Sequence, residues 1–266
     1  EMSFSRTAQW HTVDVDPVAG RRIAEITGLP GPLAGVLAAR GICDRDAVER
    51  FLNPRLSDLS DPFRISGMRR AVERLRAALQ KREKICVFGD YDADGVTGLA
   101  FIYRVLRRLG GEISWFTPSR LSEGYGLSPE AIARCIDANE PDVIVTVDCG
   151  TGSSEAVKLA ASRNVNVVIT DHHEHPGDPA PAYAVVNPKL GSNKEAADLA
   201  GAGVAFKVCH ALLKSFKSDG RDISGVDLRD LIYLVAVGTV ADLAPLAAEN
   251  RILVRYGLLR MNRDGG

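Results

Sequence analysis

Residues 85–98 read ICVFGDYDADGVTG, and the change of character within them decides the fold. Ile85-Cys86-Val87-Phe88 is a short apolar run of the kind that forms a strand buried on both faces. It ends in Gly89 and then in three acids at alternate positions, Asp90, Asp92 and Asp94. A helical pattern follows over 96–109. Downstream the same rhythm repeats. Residues 113–116 (ISWF), 143–147 (VIVTV), 165–169 (VNVVI) and 183–186 (YAVV) read as strands. Helices are expected after Ser128-Pro129-Glu130, where Ser caps and Pro takes the first helical position, and after Ser153 or Ser154. Strands alternating with helices predict an α/β fold, a parallel β-sheet with helices on both faces.

Upstream of 85 the pattern is helical. Residues 67–82 form an amphipathic helix through Met68, Val72, Leu75 and Leu79. Residues 33–52 carry a helical period broken near Gly41 and stopped by Asn53-Pro54. Residues 1–30 show no clear period and read as an extended lead-in. From about 198 the chain turns helical again, over 203–217, 227–241 and 249–262. The sequence thus predicts a helical N-terminal region over 1–66 and an α/β domain over 67–266 with helical additions at its C-terminal side.

The bulk properties exclude several classes. The chain has 266 residues, 45% hydrophobic and 25% charged, with net charge −1, so its overall field does not mark a polyanion binder. No apolar run approaches the ~18 residues of a membrane span, and no signal segment is visible. The five cysteines are scattered without a CxxC pair, which argues against a disulfide framework or a thiolate metal site and fits a reducing cytoplasm. Basic residues are dense in 69–84 and at Arg104, Arg107 and Arg108; solvated helix faces account for them.

In an open parallel sheet, ligands bind beyond the carboxyl ends of the strands. Strand 85–88 leads into Asp90, Asp92 and Asp94, strand 143–147 ends on Asp148, and strand 165–169 leads to Asp171-His172-His173. Three strands deliver carboxylates and imidazoles to one sheet edge. Hard oxygen ligands mixed with imidazole suit Mn²⁺, Mg²⁺ or Zn²⁺. So many acids cannot share a site ionised without cations, and two ions about 4 Å apart are the arrangement used for phosphoryl displacement. An EF-hand loop is excluded: Asp90-x-Asp92-x-Asp94-Gly95 has its spacing, but Phe101 stands where the twelfth-position Glu belongs, and a strand precedes it. Cys149 reads as a packed small residue rather than a nucleophile.

Five ordered segments then carry a resemblance: VFGDYDADGVTG (87–98), VTVDCG (145–150), TDHHE (170–174), VVNPK (185–189) and GTVADLAPL (238–246). Together they resemble the DHH phosphoesterase superfamily, and their order and spacing look closest to its RecJ-type branch, single-strand-specific 5′→3′ DNA exonucleases. RGICDRDAVERFLNPRLSDLSDPF (40–63), PSRLSEGYGLSP (118–129) and LAGAGVAFK (199–207) support that branch.

The resemblance implies two divalent cations, Mn²⁺ first and Mg²⁺ second. Asp92 would hold one, Asp94 the other, Asp148 would bridge them, and His172 and Asp242 would complete the second site. Asp90 and His173 would be accessory ligands or substrate contacts. Asp242 enters only through the resemblance. Many superfamily members place a His where Phe88 stands, so the first ion here would lean on Asp90. The expected reaction is metal-assisted phosphodiester hydrolysis in repair and recombination, with Asp148 and His173 catalytic and Arg120, Tyr125 and His173 on the substrate. Single-stranded DNA is the expected partner, with a helicase or single-strand-binding protein as accessory. Family nucleases carry a further domain of the DHHA1 type, so a shortened core is expected. The alternatives are a small-substrate enzyme (oligoribonuclease, cyclic-dinucleotide phosphodiesterase or pyrophosphatase), which would lack the N-terminal helices, and a non-catalytic replication scaffold, which would lose ligand acids.

Overall fold

A computed structural model describes residues 16–119, 126–191, 193 and 195–264. Two compact units divide between Arg55 and Leu56. The first contains α1 (Pro17–Thr27), α2 (Gly31–Ala39) and α3 (Arg45–Leu52) around Ile23, Ala34, Leu37 and Val48. Helix α1 corrects the extended lead-in expected from the sequence. Asp16 caps it through the Val18 amide, Pro17 opens it, and Gly28 closes it in the left-handed conformation. Its apolar period is faint because it buries only Gly20 and Ile23. The first fifteen residues of that lead-in lie outside the described residues.

The second unit begins with two 3-10 turns, Leu56–Asp58 and Pro62–Arg64, and α4 (Met68–Lys81). Leu56, Leu59 and Phe63 pack against the main core, so residues 56–66 go with this unit. Then follow β1 (Lys84–Gly89), α5 (Ala93–Arg108), β2 (Glu112–Phe116), α6 (Pro129–Asn139), β3 (Val143–Val147), α7 (Ser154–Ser162), β4 (Asn166–Thr170) and β5 (Ala184–Val186). The chain closes with α8 (Gly201–Ser218), α9 (Ile232–Ala241) and α10 (Ala248–Asp264). No helix among the described residues is long and apolar enough to cross a membrane.

Among the described residues one five-stranded sheet forms, in the order β2-β1-β3-β4-β5, with every pairing parallel. The two-residue period of a strand divides the core between its faces. Ile85, Val87, Val145, Val147 and Val168 pack with apolar residues of α4, α5, α8 and α9. Cys86, Phe88, Ile144, Val167 and Ile169 pack with α6 and α7. Phe88, where a His was the alternative, is wholly buried and stacks on Phe116 with centroids 5.5 Å apart. The strand order reverses direction between β1 and β3. In a sheet of this order the ligand crevice opens at that switch point, and the loops leaving it there carry Asp90 to Asp94 and Asp148.

Candidate metal centre

Each candidate residue is positioned by a local device. Asp90 leaves β1 fully buried, its amide donating to the Val147 carbonyl at 3.2 Å. The loop then folds back tightly, because a Cβ on Gly95 would come within 2.6 Å of the Asp90 backbone. Asp92 caps α5, accepting from the Gly95 amide at 2.9 Å. Asp94, in the first turn of α5, is buried with both oxygens on the N-terminus of α8: Oδ2 accepts from the Gly201 amide at 2.6 Å and Oδ1 from the Ala202 amide at 2.9 Å. The positive end of α8 thus supports that charge. Asp148 follows β3 with a left-handed backbone (φ 64°), its amide bound to the Thr170 carbonyl at 2.9 Å. A non-glycine residue at that φ is uncommon, and such positions cluster at functional sites.

The Asp171-His172-His173 turn is organised by Asp171. Its Oδ1 accepts from the amides of His172 (2.7 Å) and His173 (3.1 Å) and lies 2.8 Å from His173 Nδ1. Its Oδ2 accepts from the Thr151 amide at 2.9 Å. Asn187 donates to the His173 carbonyl at 2.9 Å and to Thr151 Oγ1 at 3.0 Å. Asp242 arrives from elsewhere, as the residue ending α9.

These devices converge. One ligand atom from each of Asp94, His172 and Asp242 lies within 4.8 Å of the others; so do those of Asp90, Asp92 and Asp148, and those of Asp148, His172 and His173. His172 Nε2 is the hinge, 3.0 Å from Asp148 Oδ1 and 3.9 Å from both Asp94 Oδ2 and Asp242 Oδ2. Yet His172 Nε2, Asp148 Oδ1 and both oxygens of Asp90 are buried without a partner in hydrogen-bonding geometry. Buried polar atoms are normally satisfied. Two ligands each about 2.1 Å from one ion at a right angle lie about 3.0 Å apart, which is the His172–Asp148 spacing. The donor set therefore fits hard divalent cations.

The electrostatics of the protein groups say the same. Burial, reinforced by Asp94 and Asp92, pushes the Asp148 carboxyl up to about 10. Burial pushes Asp94 up to about 6 against the opposing amides of α8 and the His172 ring. Asp90 is raised too, mainly by burial, with the neighbouring amides of Tyr91 and Gly126 only tempering it. Burial opposes the charge on Asp171 as well, but the His173 ring and the Thr151 and His173 amides outweigh it and hold that carboxyl well below the usual range. Asp171 in turn lifts His173 to about 9. Burial and the neighbouring His173 charge lower His172, favouring the neutral ring a metal needs.

The model of the DHH family, N-terminal domain, matches residues 84–239. The chain belongs to the DHH family. Its curated relatives include the single-stranded-DNA-specific exonuclease RecJ of Bacillus subtilis, 36% identical over 96% of this chain and 31% of the relative, and that of Escherichia coli K12, 40% identical over 91% and 43%. The chain thus spans about a third to two-fifths of their length. Among solved structures, RecJ in complex with Mn²⁺ from Thermus thermophilus matches with TM-score 0.74 at 32% identity, over 92% of this chain and 34% of that one. The exonuclease RecJ bound to manganese matches with TM-score 0.67 at 38% identity, over 78% and 50%.

The DHH site brings together all six residues read as metal ligands (Asp90, Asp92, Asp94, Asp148, His172 and Asp242), and His173 beside them. Asp90, treated in sequence as accessory, stands in the same triplet as Asp92 and Asp148. Arg120 and Tyr125 lie outside the described residues. Cys149 is buried, and burial pushes its thiol up, away from nucleophilic use. Sequence reasoning left Asp171 without a role and passed over two glycines. A Cβ on Gly201 would stand 2.6 Å from Asp148 Cβ, and one on Gly238 would stand 2.6 Å from Asp94 Oδ1. The visible signal was their place in LAGAG and GTVAD, away from any strand-end turn.

Proposed function

We infer that this DHH chain is the cation-dependent phosphoesterase core of an exonuclease that degrades single-stranded DNA from its 5′ end. The observation that carries the reading is the set of buried, unpartnered donor atoms of Asp90, Asp148 and His172 converging at the sheet's switch point. Its support beyond the site is the RecJ relatives, named as single-stranded-DNA-specific exonucleases, and the RecJ structures that hold manganese or magnesium. By this reading Asp94, His172 and Asp242 hold one cation, Asp90 and Asp92 the other, and Asp148 both. When bound, the cations activate water and neutralise charge on the phosphoryl oxygens.

The chain's own residues supply the rest. Asp148, fixed by its left-handed backbone, sets the spacing between the two ligand sets. By the same reading His173, held by Asp171 at 2.8 Å, gives a proton to the leaving alkoxide oxygen. Gly126 lines the cavity beside His173. Arg120 is assigned to a phosphate and Tyr125 to stacking on a base. A role in DNA repair and recombination in the cytoplasm, alongside a helicase or a single-strand-binding protein, completes the reading. Its five cysteines, all free, suit a reducing compartment.

The test is Mn²⁺-supported digestion of single strands labelled at either end, with wild type and Asp148→Ala. Mononucleotide release from the 5′ end, lost in the variant, is expected. Hydrolysis restricted to dinucleotides or pyrophosphate, or an Asp148→Ala protein as active as wild type, contradicts the reading.

A further inference from the structure

The cavity beside His173 has a volume of about 370 Å³, within the range of small-ligand sites, roughly 300–1,000 Å³. Two helices open at it: Ser128, the cap of α6, and Ser153, the residue before α7, both stand in its lining. The positive ends of two helices thus meet one space. Ser128 Oγ accepts from the Ala131 amide at 3.1 Å, which leaves its hydroxyl hydrogen to donate elsewhere. Ser153 makes no capping hydrogen bond with its side chain.

His175 is the third donor in this lining. Its ring lies against Gly152: a Cβ there would stand 2.8 Å from the His175 Cε1 and 2.9 Å from Nδ1. Gly152 has no left-handed backbone to require a glycine, so the missing side chain serves to make room for the imidazole. His175 is half-buried rather than sealed, and among the described residues its ring makes no hydrogen bond or ion pair. The two acids of the lining are answered elsewhere. Asp171 is engaged by the amides of Thr151, His172 and His173 and by the His173 ring. The Glu174 side chain is 88% exposed and lies 3.9 Å from the Lys189 ammonium. Unengaged donors at two helix openings suit a ligand that offers only acceptors and carries negative charge, which is a phosphate group.

We propose that this cavity holds a strand phosphate next to the one being cut, with His175 as its binding residue and Ser128 and Ser153 beside it. The proposal rests on the phosphoesterase reading of the neighbouring centre. Two sources share the chemistry: the terminal phosphate at the 5′ end, and the backbone phosphate on the other side of the cut.

The test is calorimetric binding, with Ca²⁺ in place of Mn²⁺, of three dinucleotides. One is dTpdT, which carries only the phosphate to be cut. The others are pdTpdT, which adds a 5′ phosphate, and dTpdTp, which adds a 3′ phosphate. Wild type binds one of the two phosphorylated forms about tenfold more tightly than dTpdT, in keeping with one hydrogen bond to a charged group, and the preferred form identifies the source. His175→Ala brings that ratio to about one. Gly152→Ala, whose Cβ displaces the ring, also lowers it, and lowers it no further in a protein that already carries His175→Ala. A general loss of fold weakens all three ligands together and leaves the ratio intact. Equal binding of all three by wild type overturns the proposal, and so does a ratio that His175→Ala leaves unchanged. The two readings fail separately: the expected ratio without digestion of single strands sinks the exonuclease, and digestion without that ratio sinks the subsite.

Discussion

Gly201→Ala tests the geometry of the centre without touching any ligand. Gly201 opens α8, where alanine is ordinarily preferred to glycine by about 0.5–1 kcal/mol. Here the added Cβ would lie 2.6 Å from Asp148 Cβ, 2.8 Å from Cγ and 2.7 Å from Oδ1. Carbon atoms rest about 3.5 Å apart at closest comfort, so helix and carboxylate must separate by about 0.9 Å. Neither yields easily. Asp148 is pinned through the Thr170 carbonyl, and the α8 N-terminus is pinned through both oxygens of Asp94. Overpacking of this kind costs about 1–3 kcal/mol, which exceeds the helix-propensity gain. A misplacement near 1 Å costs about 10²-fold in turnover. Urea denaturation and Mn²⁺-dependent hydrolysis read both effects. Gly35→Ala in α2 is the control: nothing lies within 4 Å of its Cβ, so it gains about 0.5–1 kcal/mol and hydrolysis is unchanged. A Gly201→Ala protein as stable as wild type and within twofold of its activity would refute the steric account.

Without metal, Asp94 and Asp148 hold protons in the folded state, up to about pH 6 and about pH 10, that the unfolded chain releases near 3.8. Their contribution to stability is thus full below pH 3.8 and is lost as pH rises through those folded values. The metal-free protein therefore weakens from pH 4 towards 10. Mn²⁺ expels the Asp148 proton at pH 7, which calorimetry in buffers of different ionisation enthalpy detects; no proton release would count against the assignment. Asp171→Asn removes the partner that lifts His173, so its ring titrates well below about 9 in the metal-free protein by NMR, and an unmoved titration would show that Asp171 is not the cause. Lys207, fully buried, meets Glu249 at 2.8 Å. Lys207→Met alone costs about 3–5 kcal/mol in urea denaturation by stranding the carboxylate, and adding Glu249→Leu recovers most of it.

The sheet was legible because its strands are buried on both faces. Val143–Val147 and Ile85–Phe88 are runs of β-branched and apolar residues that no exposed element would carry. The acids at their ends followed from the rule that parallel sheets bind ligands there. Strand order was not legible, since β1 pairing with both β2 and β3 is a matter of how α5, α8 and α6 pack on its faces. Helix α1 was missed although its punctuation, Asp16-Pro17 and Gly28, was in plain view, because only one large side chain, Ile23, is buried. Asp242 had no local signal at all. It joins Asp94 and His172 because α9 packs closely enough on α5 that Gly238 has no room for a side chain beside Thr97 and Asp94. Asp171 was visible but mute: its hold on His173 depends on a turn whose shape is set by Thr151 and Asn187.

The most direct test is diffraction from crystals soaked in MnCl₂, collected for the anomalous signal of manganese. Two peaks about 4 Å apart are predicted, one among Asp94, His172 and Asp242 and one among Asp90 and Asp92, with Asp148 touching both. A manganese site away from these residues, or none at saturating Mn²⁺, would contradict the account.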